Sequence, residues 1–147
     1  RESRRIVGEY CLTAEDYANR ADFEDAIGYY SYPIDMHAAA KEEREGREEV
    51  YQSSKYKMGE AYAIPYRSLL SIKFTNLLTA GRTISCDRAM QASVRVMPAC
   101  FITGQAAGTA AAISTEQGCS VKDIDVKILR QRLKEQGACL KKGTPYR

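Results

Sequence analysis

The sequence predicts an α/β fold, and three observations predict it. Short runs rich in β-branched and aromatic residues fill the first half of the chain, a helical pattern opens near residue 96, and an amphipathic stretch covers residues 124–136. Strand-like and helix-like periods thus occur in one chain.

In chain order, residues 5–12 (RIVGEYCL) read as a strand. Thr13 fits a helix N-cap, with Glu15 and Asp16 in the first turn, where the helix dipole favours negative charge; the helix runs from Ala14 to about Ala21. Residues 23–34 (FEDAIGYYSYPI) suit a second strand that Pro33 ends or confines to an edge. The run KEEREGREE at 41–49 has no apolar face and reads as a solvated loop or exposed turn. A short strand at 61–64 leads into a turn over Pro65, Tyr66, Arg67 and Ser68. The apolar run NLLTA (76–80), ending in Gly81, reads as a buried strand. Pro98 suits the first turn of a helix that reaches Gln117, where Gly118 takes the left-handed C-terminal position. In the last helix Ile124, Ile128, Leu129 and Leu133 share a face, and Gly137 closes it.

Bulk properties set bounds on function. The mixture of 44% hydrophobic and 28% charged residues is that of a soluble globular domain, and 147 residues suffice for one core. Nothing approaches the ~18 consecutive apolar residues that span a bilayer, so no membrane partner is expected. A net charge of +3, interspersed along the chain, argues against nucleic acid. Five cysteines lie far apart with no CxxC pair, so no metal site is expected, and they read as small buried hydrophobes in a reducing cytoplasm. The opening RESRR, with neither an initiator Met nor a signal-peptide core, suggests a piece of a longer protein.

Two features exceed a generic fold. Gly81-Arg82 follows a strand-like run, and glycine there lets a ligand approach the backbone. In GQAAGTAAA (104–112), Gly104, Gly108 and Ala112 recur every four residues on one helical face, which permits close packing against a sheet or a cofactor.

The strings NLLTAGRTIS (76–85), QASVRVMP (91–98) and GQAAGTAAA, in that order, resemble the C-terminal FAD-binding segment of the FAD-dependent oxidoreductases, a family that includes relatives of the heterodisulfide reductase flavoprotein subunit. RESRRIVGEYCLTAEDY (1–17), YPIDMH (32–37) and IPYRSLL (64–70) extend the likeness over most of the chain. The resemblance implies the C-terminal part of an FAD/NAD(P)-binding Rossmann-like domain together with antiparallel strands of a substrate-side domain. Residues 1–70 would belong to the substrate-side (cap) domain, 71–138 would close the FAD domain, and 139–147 would be a tail. It also implies FAD as cofactor, a small-molecule substrate, and an N-terminal half of the same protein as partner, because no GxGxxG occurs in these residues.

Carried across by position, Gly81 and Arg82 would lie beside the FAD ribityl–pyrophosphate region. Arg95, Met97 and Pro98 would lead into a helix, continued by Gly104, whose N-terminus faces the flavin. For Arg95 a structural ion pair stands as the alternative. His37, the only histidine, sits where the family pattern places one and is a candidate for proton transfer, with an ordinary hydrogen-bonded histidine as the alternative. Tyr66 and Arg67 are candidates to line the site and bind an anionic group, with a structural turn as theirs. The family's segment after the GR motif often carries a histidine; here it reads Ser85-Cys86-Asp87-Arg88-Ala89, and Cys86 becomes a candidate redox thiol. The expected function is hydride or electron transfer between substrate and flavin in the full protein, the 147-residue piece alone being inactive. A non-catalytic remnant or interaction domain is the alternative.

Overall fold

The computed structural model describes residues 4–35 and 56–142. His37, the charged run at 41–49 and the last five residues of the tail lie outside that set. The described residues form a mixed α/β fold with four α-helices and one two-stranded antiparallel sheet.

Helix α1 (Ala14–Ala18) is short because its stability is local. Thr13 and Asp16 form a reciprocal capping box, and Asn19 already serves as the C-cap, so the helix ends three residues before the expected Ala21. Strand β1 (Ala26–Tyr30) pairs with β2 (Tyr62–Pro65) through Gly28↔Ile64, Tyr29↔Ala63 and Tyr30↔Tyr62, with a bulge between Ala26 and Gly28. Pro65 ends β2, and Tyr66–Ser68 turns as a 3-10 helix.

Two expected strands are absent. Residues 5–12 bend at Glu9 and Tyr10, and their partners alternate between two segments. Ile6 and Leu12 donate to the carbonyls of Thr83 and Ser85, while Glu9 donates to that of Leu70, so no continuous ladder forms. Gly8 is fixed by this threading, since a Cβ there would stand 2.6 Å from the Ser85 Cβ. The run at 76–80 makes a single bridge, Leu70↔Leu78, and Leu77 is 39% exposed. Only part of that run reaches the core, so its apolar character alone misleads.

Helix α2 (Arg88–Val94) is not evident from hydrophobic period. It is started by Asp87, whose carboxylate accepts from the Met90 N–H at 2.6 Å and from the Ala14 N–H at 2.8 Å, tying the entries of α1 and α2 together. Helix α3 (Met97–Gln117) follows after Arg95 and Val96, at 91° to α2, and ends at Gly118 with φ of 62°. Helix α4 (Val126–Glu135) is capped by Asp125 and closed by Gly137, with φ of 88°. Ile124, Leu129 and Leu133 are buried, but Ile124 precedes the helix, and Ile128 is 39% exposed and lies off the expected face.

The core joins both ends of the chain. Leu12, Ile27, Ile64 and Leu69 pack with Ile84, Met90, Ile113, Leu129 and Leu133 in one cluster. A tyrosine group (Tyr17, Tyr56, Tyr62) fills one end, Tyr17 and Tyr56 stacking at 4.5 Å. Along α3 the buried stripe is Ala99, Thr103, Ala106, Ala110 and Ile113, spaced by threes and fours. The helix lies so close to β1 that a Cβ on Gly28 would meet the Ile102 Cγ2 at 2.5 Å. The face bearing Gly104, Gly108 and Ala112, expected to make the close contact, is exposed, and nothing among the described residues lies within 4 Å of a Cβ built on either glycine. Gly104 is rotated about 100° from Thr103 round the helix, so the close-packed seam and the glycine face are different sides.

No single helix among the described residues is long and apolar enough to cross a membrane. Nor does any group of three or more His, Cys, Asp or Glu residues among them form a metal-binding cluster.

Candidate cofactor site

The α2–α3 corner gathers most of the residues singled out by sequence. Arg95 caps the end of α2, and Val96 is the N-cap of α3. Val96 has no side chain able to cap, so the first-turn N–H groups of Met97 and Ala99 receive no side-chain acceptor from it, and Pro98 has no N–H. No side-chain cap from the N-cap residue thus meets the positive end of this 21-residue helix among the described residues. Met97 and Phe101, one turn apart on α3, stand beside it 66% and 69% exposed and form an apolar shelf.

Gly81–Thr83 forms a 3-10 turn against this helix. Gly81 has φ of 66°, which a side chain would strain, and its N–H donates to the Thr103 hydroxyl at 2.9 Å. A Cβ built on Gly81 would lie 3.5 Å from the Cys100 Sγ, so the turn rests directly on the first turn of α3. Arg82 donates from Nε to the Arg95 carbonyl at 3.2 Å, which brings two guanidinium-bearing residues to one corner. The Arg82 carbonyl accepts from Gln91 Nε2 at 3.2 Å, and the same buried amide accepts from Arg5 Nη1 at 2.8 Å. The N-terminal segment is thereby tied to the turn. Arg95 points the other way, with Nη2 donating to the Asp35 carbonyl at 3.0 Å. Gly81, Arg82, Arg95, Met97 and Pro98 are thus grouped, while Gly104 lies farther along the exposed face of α3.

Tyr66 and Arg67 are engaged elsewhere. Tyr66 is 1% exposed and donates its hydroxyl to the Val121 carbonyl at 2.7 Å; burial raises its pKa. Arg67 grips Asp25 through Nε at 3.0 Å and Nη2 at 3.3 Å, its backbone N–H joins the same carboxylate, and its guanidinium lies over the Tyr10 ring at 5.2 Å. That is the geometry of the turn-forming alternative. Cys86 is 5% exposed, and burial pushes its thiol up to about 12. It stays protonated at neutral pH, which removes the thiolate that a redox role needs. Gln91, Ser93 and Asp35, which position the corner, carry no sequence signal beyond being polar residues beside apolar ones.

The family model for FAD dependent oxidoreductases matches residues 1–133. This chain belongs to the FAD dependent oxidoreductase family. No curated protein and no solved structure matches it. Membership implies FAD as cofactor and a Rossmann-like domain in the fold.

The residues of the corner fit such a cofactor. FAD carries a pyrophosphate and a flavin edge that becomes more negative on reduction, and a helix N-terminus with Arg82 held beside it suits negative charge. The exposed Met97–Phe101 shelf suits the flat apolar part of the ring. The Gly81 turn, packed on Thr103 and Cys100, sets Arg82 beside that N-terminus.

Proposed function

We propose that the α2–α3 corner is this chain's share of the FAD site of an oxidoreductase that exchanges hydride or electrons with a small-molecule substrate. The observation that carries the reading is the N-terminus of α3, without a side-chain cap among the described residues, with Arg82 held beside it by the Arg95 carbonyl. FAD, when bound, supplies the redox chemistry. The residues of this chain bind and orient. The first-turn N–H groups of α3 and the Arg82 guanidinium would stabilise negative charge, the Gly81 turn would hold Arg82 in place, and Met97, Pro98 and Gly104 would line the cofactor's side of the helix. The buried Gln91 amide holds the 81–83 turn in register through the Arg82 carbonyl.

In this reading the strand–GxGxxG–helix unit that cradles the pyrophosphate, which these 147 residues do not contain, comes from an N-terminal half of the same polypeptide. Residues 1–70 serve as the substrate-side portion, and His37 is the candidate for proton transfer. The order of motifs supports kinship with the heterodisulfide reductase flavoprotein relatives, and five free cysteines support a reducing cytoplasm as the setting.

The test is a titration of FAD into the purified chain, followed by flavin fluorescence. Saturable binding that weakens in Arg82→Ala supports the site. Binding that ignores Arg82 and is also unchanged by Gly104→Ala would place the flavin elsewhere.

A further inference from the structure

The segment after β1 is fastened to the α2–α3 corner at two points. Ser93, fully buried near the end of α2, donates its hydroxyl to the Tyr32 carbonyl at 2.6 Å and stands 2.8 Å from the Tyr62 hydroxyl. Two residues later, Arg95 Nη2 donates to the Asp35 carbonyl. The Arg95 carbonyl in turn accepts from Arg82, so a single residue touches the substrate-side segment with its side chain and the Gly81–Thr83 turn with its backbone. Tyr30 and Tyr32 stack beside this anchor with ring centroids 6.4 Å apart and planes 16° apart, and Tyr30 meets Tyr62 edge-on at 6.2 Å. Burial pushes the Tyr30 phenol up to about 12, and the neighbours that add to the effect are Tyr32 and Cys100. Cys100 belongs to the first turn of α3 and lies against Gly81, and Ile102 of the same helix packs on Gly28, so the strand that carries Tyr30 lies along the start of α3.

We propose that Arg95 is a positioning residue whose guanidinium holds residues 32–35 at the N-terminal end of α3, making the Tyr30–Tyr32 pair the substrate-side wall of the flavin pocket. The proposal rests on the corner being the FAD site. It also changes what Arg95 does there. Its charge-assisted hydrogen bond to a backbone carbonyl fixes a segment, and the first contact with the cofactor's charge falls to Arg82 and the helix. Charge alone does not reproduce this, because a lysine replaces a rigid fork with a single flexible point of donation.

Arg95→Met, Arg95→Lys and Ser93→Ala test it in two measurements, on variants whose far-UV spectra match the parent. Hydrogen exchange on the FAD-free chain reads the anchor directly. Loss of one charge-assisted bond predicts about tenfold faster exchange in residues 30–35 for Arg95→Met. A smaller rise is expected for Arg95→Lys, and a rise again for Ser93→Ala, which leaves every charge in place. Emission of bound flavin at matched saturation reads the wall, since a phenol in contact with a flavin quenches it. Brighter bound flavin in Arg95→Met and Ser93→Ala is the expected result. Unchanged exchange overturns the anchor, and faster exchange with unchanged emission overturns the wall. Absence of FAD binding by the parent chain overturns the cofactor reading and the wall with it, and the exchange result reports on the anchor separately.

Discussion

Arg82 reaches the corner from a turn that only glycine can enter easily, and its Nε is held by the Arg95 carbonyl. Replacing it with alanine removes a positive charge beside the helix N-terminus without emptying any core space, because Arg82 is exposed. Arg82→Ala is expected to weaken FAD binding about tenfold while leaving the thermal midpoint nearly unchanged, as paired titrations and melts will show. Cys86 gives a complementary prediction. With its thiol near 12 and its side chain buried, it should remain unlabelled by maleimide at pH 7.5, whereas the exposed Cys11 reacts; mass spectrometry of labelled peptides distinguishes them. Single residues were legible in the sequence where backbone geometry demanded a type, as at Gly81, Gly118 and Gly137. They were not legible where a polar residue's role depends on its partner. Tyr66 and Arg67 look like site residues until Val121 and Asp25, 55 and 42 positions away, prove to bind them.

Helix α3 displays two kinds of glycine contact at the scale of elements. Gly28 of β1 is compelled, since its missing Cβ is the space that Ile102 occupies. Gly28→Ala is expected to destabilise by ~1–3 kcal/mol through overpacking, and pairing it with Ile102→Ala should recover part of that loss in a denaturant-melt double-mutant cycle. Gly104 is under no such constraint from the described residues. Gly104→Ala should stabilise the FAD-free chain by ~1 kcal/mol through helix propensity alone, and should weaken FAD binding where the cofactor lies along that face. Opposite signs in melt and titration would mark the glycine as functional. Helix ends were readable from Thr13, Pro98, Gly118 and Gly137 because caps are local chemistry. The side of α3 that would be buried was not. Alanines occupy nearly every side of the helix, so the hydrophobic period could not choose between the Thr103 stripe and the Gly104 stripe. The strand expected at 5–12 failed for a non-local reason, namely that its partners come from two segments far along the chain.

For the molecule as a whole, the tyrosines dominate the response to alkali. Burial pushes Tyr10, Tyr29 and Tyr30 from 10.0 up to about 12, and it raises Tyr62 as well. Each phenol is neutral when protonated, and its folded pKa lies above its unfolded value. Its contribution to stability is therefore complete below about pH 10 and is lost as pH rises through about 12. The denaturant midpoint should be level from pH 7 to about 9 and fall between about 10 and 12; a level midpoint up to pH 12 would mean the phenols are not buried as described. The α/β class followed from the alternation of periods in the sequence, and the order of three motifs pointed to the family that the match over residues 1–133 establishes. The joining of residues 5–12, the turn at 81–83 and the α2–α3 corner is a property of tertiary contacts that no local pattern encodes.

The most direct test of the corner as a flavin site is an amide NMR titration of this chain with FAD up to about 1 mM, a range that detects even weak association. Saturating shifts concentrated in the amides of Gly81–Thr83 and of residues 95–101 are the expected result. An unmoved spectrum, or shifts gathered instead around the groove lined by Thr75, Asn76, Gly118 and Ser120, would contradict it.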